Sequence, residues 1–177
     1  KAVQQLVPDM IAAGLLGYGY ACPDMIGGGS FASFLDIDAD KFDQALIVRS
    51  AQVHALMPMM QFSVAPWRIL SAENMKIIRA MAQLHVQKSP YILACARETA
   101  RTGEPIVRSL EYEFPHQGYE KVHDQFMMVA PMTTPGTSRT IVLPPGRWRD
   151  DQGRVFRGRR TIQQQVPLWR LPYFERL

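Results

Sequence analysis

Residues 17-GYGYACPDMIGGGSF-31 decide how the fold is read: a short apolar run punctuated by glycine ends in a proline and a carboxylate, then runs through Met25-Ile26 into three glycines and an aromatic. A short apolar run bounded by glycine and proline has the texture of a strand covered on both faces. Upstream of it, Val3, Leu6, Val7, Met10, Ile11 and Leu15 recur at helical spacing, with Pro8 at a kink or first turn and Gly14 and Gly17 closing the segment. The order is therefore helix, strand over 17–24, then a long loop over 25–37. Two readings of the loop entry stay open. Asp24 and the glycines can form a turn, since glycine reaches positive φ freely and aspartate caps turns with its own side chain; or Asp24 is a strand-end ligand group.

The pattern repeats. Asp38 is a candidate N-cap for a helix over 39–57, with Phe42, Leu46, Val53 and Leu56 near one stripe, and the apolar 56-LMPMMQFSV-64 follows as a second strand. Ser71 then opens a helix carrying Met75, Ile78, Met81 and Leu84. The spacing predicts an interruption at Ser89-Pro90 and a continuation through Tyr91, Ile92, Cys95 and Ala96 to a Thr102-Gly103 C-cap. Residues 1–103 thus read as two alternating units of a parallel α/β sheet or barrel. From Glu104 the texture changes to short runs such as IVRSLEYEF, FMMVAPM, RTIVL, RVF and TIQQQV separated by proline and glycine, the mark of a separate antiparallel β module over 104–177.

In parallel α/β architectures, functional groups gather where strands end. Asp24 and the Gln61–Ser63 segment both stand there, at the ends of strands separated by one helix and hence expected to be neighbours. A carboxylate in that place can accept hydrogen bonds from a polyhydroxylated ligand, and adjacent glycines let a ligand approach the backbone. Trp67, just beyond, has two readings: a ring that stacks on a sugar face, or ordinary packing.

Composition narrows the alternatives. With 47% hydrophobic and 20% charged residues in 177 positions, the chain is globular, and its net charge of +4 is modest. Six arginines and two aspartates crowd residues 147–160, where Asp150-Asp151-Gln152-Gly153 reads as a turn, so the arginines are expected on a solvated hairpin and not on a nucleic-acid surface. Cys22 and Cys95 are too few and too distant for a disulfide framework or thiolate metal site, and two free buried thiols are expected. His54 and His85 lack ligand spacing and read as structural; His116 and His123 lie in a turn-rich stretch, and no metal or cofactor is expected. No window approaches the ~20 apolar residues of a membrane span, and no signal segment is evident. P-loop, dinucleotide, nucleophile-elbow and zinc patterns are missing from the sequence. Beginning at Lys1 within a helical pattern, the chain reads as a piece of something longer.

The ordered segments GYGYACPDMIGGGSF, ALIVRSAQVHALMPMMQFS, YILACARETARTGEPIVRSLEYEFP, DQFMMVAPM and RTIVLPPGRWRD resemble glycoside hydrolase family thirty-one over nearly the whole chain. That resemblance implies the C-terminal portion of a TIM-type (β/α)8 barrel followed by an antiparallel β-sandwich, in a soluble enzyme that hydrolyses α-linked sugars with retention. Two carboxylates, about 5–5.5 Å apart, carry that chemistry. Both would lie upstream of Lys1, so no catalytic residue is expected in this chain, and the remainder of the barrel is its expected partner. The resemblance gives Asp24 a role in hydroxyl recognition and Phe31 the place of the aromatic that closes the strand-seven motif. At the eighth strand the glucosidases carry an arginine and a histidine where this chain has Gln61, Phe62 and Ser63, which removes a charge from the pocket and leaves glycosides other than glucosides open. At 124–132 the family has several more residues, as a shortened hairpin or missing residues would produce. The alternative is a non-catalytic carbohydrate-binding or assembly module that kept the fold and lost the chemistry.

Overall fold

The computed structural model describes residues 3–28, 42–117 and 127–177. A 3-10 turn at Val3–Gln5 leads into α1 (Leu6–Leu15), with Pro8 in its first turn, where a helix has no intrahelical partner for an N–H. Gly14 is required: a Cβ there would stand 2.7 Å from the Cβ of Pro105, so α1 packs directly on the chain entering the C-terminal half. The next helix, α2 (Gln44–His54), is shorter than expected and is capped by Asp43, whose carboxylate accepts from Leu46 N–H at 2.9 Å; Asp38 lies outside the described residues. Its buried side is also wider than the expected stripe. Leu46 is exposed, while Ile47, Val48, Ala51, Gln52, Val53 and His54 are buried, because neighbours cover the helix on most sides.

The third helix, α3 (Ala72–Thr102), is 31 residues long, with Ser71 accepting from Asn74 N–H at 3.2 Å and Gly103 at φ 80° ending it. The expected break at Ser89-Pro90 does not occur. Proline at 90 deprives the Val86 carbonyl of its i→i+4 partner, and the Ser89 hydroxyl donates to that same carbonyl at 2.8 Å. The expected face is correct: Ile78 and Met81 are buried, Met75 and Leu84 partly so.

The two expected strands do not form ladders. Residues 17–24 and 56–64 are irregular, with Pro23 and Pro58 each removing a backbone donor, and one parallel bridge forms just past the first of them, between Ile26, in the expected loop, and Phe62. There Ile26 N–H donates to Gln61 O at 2.9 Å and Ser63 N–H to Ile26 O at 3.0 Å, so the segments are neighbours as expected. Cys22 and Cys95 are free but only half-buried, a correction to the expected burial.

In the C-terminal half the described strands are antiparallel: β1 (Ser138–Leu143), β2 (Arg147–Asp150), β3 (Val155–Arg157), β4 (Arg160–Gln165) and β5 (Phe174–Arg176). β1 pairs with β4, and β2 is flanked by β3 and β5. The first four are one long hairpin bent in the middle, where three residues, Pro144–Gly146, face two, Gly158 and Arg159. Gly158 cannot carry a side chain at that bend, since its Cβ would fall 1.8 Å from Pro144 O. Folding over buries Ile141, Leu143, Trp148 and Phe174 in one cluster with Leu110, Met128 and Ala130. Two expected strands are corrected. IVRSLEYEF contains instead a helical turn, α4 (Leu110–Glu113), because Ser109 caps it by accepting from Tyr112 N–H at 3.2 Å; described residues of FMMVAPM make one isolated bridge, Val129 to Tyr173.

Candidate functional site

The site is built around the Ile26–Phe62 bridge. Asp24, two residues before it, is exposed, and its Oδ1 accepts from Met25 N–H at 2.8 Å, leaving Oδ2 without a partner among the described residues. Gly28 follows closely: a Cβ there would lie 3.1 Å from Met25 O and 3.8 and 3.9 Å from the two Asp24 carboxylate oxygens, so glycine keeps that side of the carboxylate open. Gly27, at φ 73°, needs the left-handed conformation that glycine tolerates.

On the paired segment, Gln61 is exposed and Ser63 half-buried, and neither side chain makes a hydrogen bond among the described residues. The bridge thus brings Asp24 together with Gln61 and Ser63. Trp67 sits in a 3-10 turn, Pro66–Arg68, and is 74% exposed, so the packing reading finds no support among the described residues. Just past that turn, the Gln44 side-chain oxygen accepts from Ser71 N–H at 2.9 Å and Asn74 Nδ2 at 2.7 Å, fixing the start of α3 against the start of α2. Phe31 lies outside the described residues.

Beneath the site, burial raises the Cys22 thiol above its usual range, which keeps it protonated and unsuited to nucleophilic work. His54 is fully buried, its Nε2 2.7 Å from the Asp24 carbonyl oxygen and its Nδ1 2.7 Å from Ser50 O. Sequence reasoning gave His54 only a structural role, because its partner lies 30 residues away. It also missed a second contact of α2: Arg49 donates to Val166 O at 2.8 Å and to Gln52 Oε1 at 2.9 Å, while Gln52 Nε2 donates to Leu168 O at 2.6 Å. Two long polar side chains three residues apart, Arg49 and Gln52, beside the apolar positions of the helix were the available signal.

The arginine-rich stretch is a hairpin, as expected, but its carboxylates are not solvated. Asp150 is buried and accepts from the N–H groups of Gln152 and Arg154, and Arg154 pairs with it at 2.7 Å. Arg170, 4% exposed, grips Asp151 at 2.7 Å and reaches Asp150 at 3.5 Å. These groups satisfy one another and offer nothing to a ligand. No helix among the described residues is long and apolar enough to cross a membrane.

The chain is similar to known proteins over most of its length. Residues 103–177 match the glycosyl hydrolase family 31 C-terminal domain. The myogenesis-regulating glycosidase of Mus musculus is 35% identical over 164 residues, which cover 87% of this chain and 23% of that protein. The SITS-binding protein of Tetronarce californica is 29% identical over 92% of this chain and 24% of its own length, so the chain spans about a quarter of these curated relatives. Among solved structures, the GH31 dextranase of Flavobacterium johnsoniae complexed with glucose superposes with a TM-score of 0.84 at 27% identity, covering 98% of this chain and 22% of the dextranase.

Proposed function

From the chain's membership of glycosyl hydrolase family 31, we propose that it is the part of a retaining α-glycosidase that completes the sugar pocket without supplying the reacting carboxylates. On this reading residues 1–103 are the last βα units of a (β/α)8 barrel, and 104–177 are the β-sandwich that packs behind it. The likeness over 98% of the chain to a dextranase holding glucose supports that division, and so does the parallel Ile26–Phe62 bridge between two irregular segments that other barrel strands would flank. The two carboxylates of the reaction, about 5–5.5 Å apart in retaining enzymes, then come from the preceding part of the barrel.

The observation that carries the proposal is the exposed Asp24 carboxylate, with an oxygen free among the described residues, beside the uncommitted side chains of Gln61 and Ser63. Asp24 accepts hydrogen bonds from sugar hydroxyls, Gln61 and Ser63 donate or accept at the neighbouring positions, and Trp67 offers a ring face at the rim. Phe31 is proposed as a further aromatic of the same pocket on the strength of its place in the motif alone. A neutral pair, Gln61 and Ser63, favours an uncharged part of the substrate on that side.

The test is Asp24→Asn in the full-length protein, assayed on a panel of aryl α-glycosides. A charged acceptor is worth about 1.5–3 kcal/mol, which predicts a fall in kcat/KM of about 10- to 150-fold with folding preserved. Unchanged kinetics would remove Asp24 from the pocket.

A further inference from the structure

Asp24 reaches the pocket from a segment with almost no regular structure, so something other than a sheet ladder must fix its position. Ile26 and Phe62 form one bridge, closed by the hydrogen bonds of Ile26 with Gln61 O and Ser63 N–H. Two residues back, the Asp24 carbonyl has one partner among the described residues, the Nε2 of His54 at 2.7 Å. The ring is buried at the end of α2, and its other nitrogen is 2.7 Å from Ser50 O. A neutral imidazole carries a single N–H and can serve one of these carbonyls. Ser50 O stands at the i−4 position of the helix, where the backbone N–H of residue 54 already supplies its donor. Among the described residues the Asp24 carbonyl has no such alternative, so an N–H on Nε2 is the donor it needs.

We propose that His54 is a positioning residue for Asp24: it donates from Nε2 to the Asp24 carbonyl and thereby sets where the carboxylate stands in the sugar pocket. The inference rests on the reading of Asp24 as a sugar-binding group. His54 touches no substrate, and it transmits the geometry of α2, itself tied to the 166–170 segment by Arg49 and Gln52, to the one charged group of the site. A neighbouring contact, His85 Nδ1 to Ala55 O at 3.0 Å, braces the same turn from α3.

Asparagine and glutamine separate the two ring nitrogens, since the amide of glutamine reaches the place of Nε2 and that of asparagine the place of Nδ1. In the full-length protein, His54→Gln should keep kcat/KM for the best aryl α-glycoside of the panel within about threefold, whereas His54→Asn should lose about 10-fold or more, the cost of one buried carbonyl left unpaired. In an Asp24→Asn background, His54→Asn should change kcat/KM by less than about twofold, because the group it positions has already been disabled. Equal losses for His54→Gln and His54→Asn, or a full additional loss in the Asp24→Asn background, would overturn the inference while leaving the pocket reading intact. Unaltered kinetics in Asp24→Asn alone would instead remove the pocket reading, and this inference with it. Matching melting temperatures for the two variants show that a kinetic contrast between them is not a difference in folding.

Discussion

The bent hairpin of 138–165 and the Asp24–Gln61 edge treat polar groups in opposite ways. In the hairpin every buried charge is answered: Asp150 takes two backbone N–H groups and two guanidinium groups, and Arg170 spends its donors on Asp150, Asp151, Gln164 and Gln165. At the edge, one parallel bridge orders the backbone, and among the described residues the polar side chains of Asp24, Gln61 and Ser63 have no partner apart from one Asp24 oxygen on Met25 N–H. A saturated network rigidifies and can bind nothing; an unsaturated one costs local order and leaves groups for a ligand. Charge density alone would have ranked these regions the other way round.

Substitutions can break that contrast, and the hairpin should show the largest losses of stability. Arg170→Met takes the guanidinium from Asp151 and leaves Asp150 with Arg154 alone, and should cost about 3–5 kcal/mol in a denaturant titration of the full-length protein. Gly158→Ala should follow at about 3 kcal/mol, because the Cβ can be housed only by moving the Pro144 backbone, and the melt should shift without a change in substrate preference. Arg49→Met frees Val166 O and Gln52 together, an expected loss of about 2 kcal/mol, with protease cleavage near 166–170 as the local readout. The smallest effect belongs to Asp24→Asn, within about 0.5 kcal/mol by the same titration despite its large kinetic penalty. A loss at Asp24 as large as that at Arg170 would erase the distinction between the two regions and make Asp24 a structural turn residue.

Much of this was legible in sequence where the cause is local. Ser71 as a cap, Gly103 as a stop, the Asp150–Gly153 turn and the strands at RTIVL, RVF and TIQQQV follow from capping, turn chemistry and alternation within a few residues. Readings failed where a second residue compensated for the first. Pro90 breaks a helix unless the preceding serine supplies the missing donor, and an apolar run such as 56–64 makes a strand unless its proline and its single neighbour leave it with one bridge. IVRSLEYEF has the β-branched and aromatic content of a strand, but Ser109 gives its middle a helical cap, and local hydrogen bonding prevailed. At the site, the residue types and their grouping were legible. His54 was not, since its meaning depends on a carbonyl 30 positions away that no spacing rule connects to it.

The bend at Pro144–Gly146 and Gly158–Arg159 also bears on how the molecule is assembled in time. Because both sheets receive their strands from one continuous hairpin, most of their pairings join residues close in sequence, and the tip at 150–153 can close before any distant segment arrives. Closure of so short a loop takes tens of nanoseconds and hairpin zipping microseconds, whereas contacts of high sequence separation wait on the search of the whole chain. The ribbon therefore acquires its register early and from within. β5, which joins β2 from residues 174–176, docks afterwards and locks the Phe174 side chain over an already folded corner.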